Sequence, residues 1–134
     1  MILTAREQAL QAFIDAAVDD PIVWGVTDCS SWAARWVEQI TGRAPVLPLY
    51  RSRDEAHALI AQAGGLAPLW DDALGAIGIY TTSQPELGDV GIIQTRAHGP
   101  VGVVFAHGGI GYWRADTGAL ALSPRKIVRA WHVE

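Results

Sequence analysis

One cysteine, Cys29, stands in the run Trp24-Gly25-Val26-Thr27-Asp28-Cys29-Ser30-Ser31-Trp32. A turn ends there and an apolar helical period begins. A thiol in the first turn of a helix sits against unpaired backbone N–H groups and the positive end of the helix dipole, both of which favour the thiolate. That is one way to place and activate a sulfur nucleophile. The same position also suits a small buried cysteine with no chemistry, and position alone weighs the two readings evenly. A nucleophilic thiol needs a base, most often histidine, within hydrogen-bond reach. Of the four histidines, His57 reads as a surface residue of a helix. His107 reads as a hairpin tip ahead of Gly108-Gly109, and His132 as a residue of the last strand turned away from Trp131. His98, in the turn before the strand Val101 to Ala106, is the candidate base, set against its plainer reading as an exposed turn histidine. Asp28 is the candidate to orient a catalytic group. Its plainer reading is an N-cap whose carboxylate accepts helix N–H bonds.

The elements that must position these residues fall into two halves. Thr4 and Glu7 have the spacing of a capping box, and Leu10, Phe13, Ile14, Ala17 and Val18 follow at helical period. Asp19-Asp20-Pro21 closes that helix. The second helix starts near Cys29, with Thr27 or Asp28 as N-cap and Trp32, Ala33, Trp36, Val37 and Ile40 as its apolar stripe. Gly42 stops it. Trp32 and Trp36, four residues apart on that stripe, read as core rather than as a ligand platform. After a loop with Pro45 and Pro48, Ser52 and Glu55 open a third helix that ends at Gly64-Gly65. A short helix spans about Pro68 to Leu74. From Gly75 onward the pattern changes. Val90 to Thr95, Val101 to Ala106, Ile110 to Arg114, Ala119 to Leu122 and Val128 to Val133 read as strands. Gly99-Pro100, Gly108-Gly109 and Asp116-Thr117-Gly118 are turn signals between them. Asp89 reads as a strand start. Short links imply hairpins, so the pattern predicts an α+β domain whose N-terminal helices pack on an antiparallel meander of about five strands.

Length and composition exclude several classes. The 134 residues, half of them hydrophobic and six of them tryptophan, make one domain over 1–134 with a core of its own. A lone cysteine forms no intrachain disulfide, and no Cys/His spacing suggests zinc, so no metal and no cofactor is expected. A net charge of −4 with scattered basic residues argues against a nucleic-acid partner. No apolar run reaches membrane-spanning length, so no membrane insertion is expected. The first twenty residues carry acidic side chains and no apolar block, which predicts synthesis in the cytoplasm without a signal peptide.

The order of motifs resembles the NlpC-type cell-wall peptidases, a papain-like cysteine hydrolase family. Trp24-Gly25, Asp28-Cys29-Ser30, Gly88-Asp89-Val90 and Val101-Gly102-Val103 match that family's motifs in order and spacing, from about residue 21 to residue 104. The resemblance implies a papain-like fold with Cys29 in the nucleophile's place, facing the strand Val101 to Ala106. Two positions depart from the pattern. Ser31 replaces a glycine, and Pro100 occupies the place of the catalytic histidine. The family's third polar residue falls near Tyr112 or Trp113, neither of which polarises an imidazole well. Only His98, two residues early, can stand in as base.

This divergent form is similar to NlpC-like proteins found among phage and prophage tail genes. The resemblance therefore implies a tail-tip or baseplate-associated virion protein, weakly active or inactive as a hydrolase, with other tail-tip proteins as partners. The alternative it implies is an active cysteine peptidase or amidase that cleaves peptidoglycan stem peptides during phage entry. A third reading is a stand-alone intracellular binding domain. Trp113, Tyr112 and the C-terminal strand are the expected contact positions within an assembly.

Overall fold

The computed structural model describes residues 3–134. Among the described residues, four α-helices precede the sheet: α1 (Ala5–Asp15), α2 (Cys29–Thr41), α3 (Arg53–Ala63) and α4 (Leu66–Gly75). Five strands follow: β1 (Val90–Thr95), β2 (Gly99–Phe105), β3 (Gly111–Arg114), β4 (Ala119–Leu122) and β5 (Lys126–Trp131). The division into a helical half and a strand half is the one the sequence predicts. The caps explain why the helices begin where they do. Thr4 and Glu7 form a complete capping box on α1, and the Ser52 side chain accepts from the Glu55 N–H on α3. Gly42 and Gly64, both left-handed, end α2 and α3.

All strand pairs are antiparallel, but the spatial order is β4-β3-β2-β1-β5. This corrects the expected meander. The last strand does not continue from β4; it crosses to the far side of the sheet and pairs with β1. The reason is burial. Trp131 is 1% exposed and belongs under the helices, where its indole donates to Asp71 of α4 at 3.0 Å. Beyond β5, the segment around Tyr80–Thr82 adds further pairing, with Thr82 N–H donating to Ala130 O and His132 N–H donating to Tyr80 O.

Side chains on a strand alternate between faces, and the two faces of this sheet carry separate cores. One is formed by Val90, Ile92, Val104 and Trp131 against Trp32, Ala33, Trp36 and Val37 of α2, with α4 contributing Trp70 and Leu74. Phe13 of α1 stacks on Trp32 with ring centroids 4.9 Å apart. The other is made by strand residues alone: Ile93, Val101, Val103, Phe105 and Ala130, with Ile127, Leu122 and Trp113 packed against them. Trp32 and Trp36 are core, as their spacing predicts. The Trp36 indole donates to Gly88 O at 2.8 Å, which ties α2 to the entrance of β1.

Candidate active site

Cys29 is the first residue of α2, and α2 packs against β2. The strongest pull on its thiol is burial, which pushes the pKa up. The charge of Asp28 pushes the same way, while the Gly102 backbone and Ser30 partly oppose it. The involvement of Gly102 places the sulfur against β2, inside the strand that the motif order assigns to it. Desolvation of the thiolate is the largest of these influences.

Gly102 is a packing requirement at this spot. A Cβ there would lie 2.4 Å from Trp70 Cζ2 and 2.6 Å from Cη2. The Trp70 indole itself donates to the Ser30 hydroxyl at 3.1 Å. The residue after the cysteine, the α4 tryptophan and the bare backbone of β2 thus form one buried unit behind the sulfur.

Asp28 is the N-cap by position, with extended backbone, but its side chain makes no capping bond. This corrects the plain N-cap reading. The carboxylate turns back into the protein, where it is 2% exposed. Oδ1 accepts from the Gly25 N–H at 2.8 Å, and Oδ2 accepts from the Tyr50 hydroxyl at 2.6 Å. The Tyr50 hydroxyl also lies 3.1 Å from Ser31 Oγ. Burial and the Asp28 carboxylate push the Tyr50 pKa well above the usual phenol value, so the phenol stays protonated and serves as a donor. Gly25 completes the turn. Its φ is +84°, and a Cβ would clash with Tyr50 O, so a glycine at this position lets the loop at Tyr50 close over the start of α2.

A cleft of about 550 Å³ opens beside Cys29, bordered by Tyr50, by α3, by His98 of the β1–β2 turn and by Pro100 of β2. His98 and Cys29 therefore share a cleft. The His98 ring is exposed and lies against Trp113 with centroids 4.6 Å apart; it has no hydrogen-bond partner among the described residues, whereas its N–H donates to Thr95 Oγ1 at 3.0 Å. Pro100, two residues before Gly102 on the same side of β2, also lines the cleft. It offers the sulfur no proton acceptor.

The other sequence candidates lie elsewhere or play other parts. His57 is exposed on α3 and borders the cleft. His107 sits in a 3-10 turn, 3.3 Å from Glu7. His132 lies just beyond β5, with Nδ1 3.0 Å from Asp89 Oδ1. Asp89 does more than start a strand. It is fully buried and accepts from Val133 N–H at 3.0 Å and Glu86 N–H at 2.8 Å, with Arg6 Nη2 3.6 Å away. Trp113 faces the cleft rather than a free edge, and β3 lies inside the sheet between β2 and β4. The edge location expected for Tyr112 and Trp113 is therefore corrected, whereas β5 does pair with only one named strand.

Sequence reasoning missed Tyr50, Ser31 and Trp70 as parts of this site. Tyr50 follows a proline-rich loop with no periodicity, so only its tertiary position reveals its partner. Among the described residues no cluster of metal-ligating side chains occurs, and no helix is long and apolar enough to cross a membrane.

Residues 1–133 match the family model described as Domain of unknown function (DUF6950), and the chain belongs to that family. No curated protein and no solved structure matches it significantly.

Proposed function

We propose that this chain is a divergent papain-like, NlpC-like domain that serves as a structural component of a phage tail tip and does not hydrolyse peptidoglycan at a useful rate. The observation that carries the reading is the environment of Cys29. The sulfur sits at the start of α2 against β2, as a nucleophile would, but burial raises its pKa. The strand position two residues before Gly102 is Pro100. Acyl transfer from an amide needs a group that takes the thiol proton and returns it to the leaving amine. Proline does neither, and Asp28 is held by Gly25 and Tyr50. The tail-tip setting and its partners, other tail-tip proteins, rest on the resemblance to NlpC-like proteins found among phage and prophage tail genes, carried by Trp24-Gly25, Asp28-Cys29-Ser30, Gly88-Asp89 and Val101-Gly102.

One observation favours a second reading. His98 borders the same cleft as Cys29. In an active enzyme it would take the thiol proton, Cys29 would attack a stem-peptide carbonyl, and the protonated imidazole would release the amine. Water would then cleave the thioester. The two readings part in one assay. Wild type, Cys29→Ala and His98→Ala are incubated with peptidoglycan fragments, and products are followed by mass spectrometry. The structural reading expects the three proteins to be indistinguishable from buffer. Cleavage by wild type that both substitutions abolish, with unchanged melting behaviour, makes the protein a hydrolase.

A further inference from the structure

We infer that β4 is a docking edge for a second copy of this chain, and that two copies pair their β4 strands antiparallel about a two-fold axis at Ala121. This goes beyond the proposed reading and does not depend on what Cys29 does.

The strand β4 lies at one end of the sheet and pairs only with β3. Ala115 N–H donates to Gly118 O at 3.1 Å. Bonded and non-bonded pairs alternate along an antiparallel ladder, so Trp113–Leu120 and Gly111–Leu122 are the bonded pairs of this register. The N–H and C=O groups of Ala119 and Ala121 therefore point away from β3. Among the described residues, no other backbone segment takes them up. The opposite edge of the sheet differs. There the segment Tyr80–Thr82 bonds to Ala130 and His132, and Lys126 and Arg129 put charge on the strand. Natural edges are blunted by charge, proline or a bulge. Ala119-Leu120-Ala121-Leu122 has none of these within it, and Leu120 is 51% exposed.

The residues along and beside this edge select a second copy as its occupant. Opposed residues of an antiparallel pair share a face, so a two-fold axis sets one residue against its own counterpart. Centred on Ala121, the pairing sets Ala119 against Ser123 of the other copy, and the outward groups of Ala119, Ala121 and Ser123 all find partners. Centred on Leu120, it leaves Ser123 unused. Leu120 then meets Leu122 of the other copy across a non-bonded pair, where side chains approach closest. Charge fixes the direction. Asp116 precedes β4, and Arg125 and Lys126 follow it; all three are exposed, and none makes an ion pair among the described residues. The bridge between Pro21 and Thr117 brings the exposed Asp20 to the acidic end. Arg114, beside it, is buried and turned onto backbone carbonyls. Antiparallel self-pairing brings the acidic end of each copy to the basic end of the other, whereas parallel pairing sets like ends together.

Main-chain hydrogen bonds join the two sheets into one, as in strand addition. One short edge makes a small interface, so the dimer dissociates on dilution. Leu120 also borders the Cys29 cleft, which puts the second copy beside the cleft mouth.

The full chain is followed by sedimentation velocity from micromolar to near-millimolar concentration, where a reversible monomer–dimer equilibrium is expected. Ala121→Pro removes an N–H that the folded chain does not use, at an edge where proline is tolerated. It is expected to keep the melting temperature and to weaken dimerisation at least tenfold. Asp116→Lys sets like charges together at the strand ends, and so does the double variant Arg125→Glu with Lys126→Glu. Each is expected to weaken self-association about tenfold. An equal mixture of the two is expected to recover the wild-type dimer, because opposite charges then meet at both ends. A wild type that stays monomeric throughout overturns the second copy as occupant and leaves the edge to a strand of another protein. A dimer that folded Ala121→Pro leaves unchanged overturns β4 as the interface. A mixture of charge variants that fails to recover the dimer overturns the antiparallel arrangement, and this arm decides by itself if Ala121→Pro does not fold. Species larger than a dimer overturn the closed two-fold.

Discussion

The Tyr50 hydroxyl donates to Asp28 Oδ2 at 2.6 Å, and through that bond the loop before α3 holds the residue before Cys29. Asp28 is 2% exposed, so its carboxylate depends on protein donors. The two it has are Tyr50 and the Gly25 N–H. A carboxylate held in this way sets the geometry of the helix start.

Tyr50→Phe is therefore expected to destabilise the protein by about 1–3 kcal/mol, the cost of leaving a buried acceptor without its donor. Urea denaturation of both proteins measures it. A midpoint unchanged from wild type would show that Asp28 finds another donor or water.

Gly102→Ala is expected to cost about 1–3 kcal/mol, as overpacking does, because a Cβ would lie 2.4 Å from Trp70 Cζ2. Gly75→Ala serves as the control. Its Cβ meets nothing within 4 Å, and the residue closes α4, so alanine should be neutral or slightly stabilising. Equal melting temperatures for the two variants would contradict the packing of Trp70 on β2.

The Cys29 thiol is expected to alkylate slowly at neutral pH. Burial raises its pKa, so the thiolate fraction falls below that of a free cysteine. The rate with iodoacetamide, followed by intact mass from pH 7 to pH 10, should keep rising past the ordinary thiol range. A plateau below pH 7 would mean an activated thiolate and would favour the hydrolase reading.

His132 should make stability depend on pH near neutrality. Its hydrogen bond to Asp89 raises its pKa above the ordinary value, and Asp89 and Glu134 add attraction. A group whose folded pKa is raised stabilises fully below its unfolded pKa, about 6.5 for histidine, and loses that contribution as pH rises through the folded value. His132→Ala should thus lower the melting temperature more at pH 5.5 than at pH 8.5. The difference should be modest, because the side chain is 40% exposed and solvent screens the pair. A deficit that is the same at both pH values would assign the contact a packing role only.

Local chemistry made much of this molecule legible in advance. The capping pair Thr4 and Glu7, the Ser52 cap, the stripe from Trp32 to Val37 and the glycine stop at Gly42 act within one or two helical turns, and the sequence contains both partners of each interaction. Strands β1 and β4 were legible for the same reason, since alternation and turn residues are local signals. The α+β division and the position of Cys29 at a helix start follow from these elements. What the sequence alone left open depends on distance along the chain. The crossing of β5 to pair with β1 is decided by the burial of Trp131 beneath α4, some sixty residues earlier. The turning of Asp28 away from its helix is decided by Tyr50, and the bare Cα of Gly102 by Trp70. Each joins groups separated by 22 to 60 residues, and only a closed tertiary structure brings them into van der Waals range, where excluded volume and burial choose the winner.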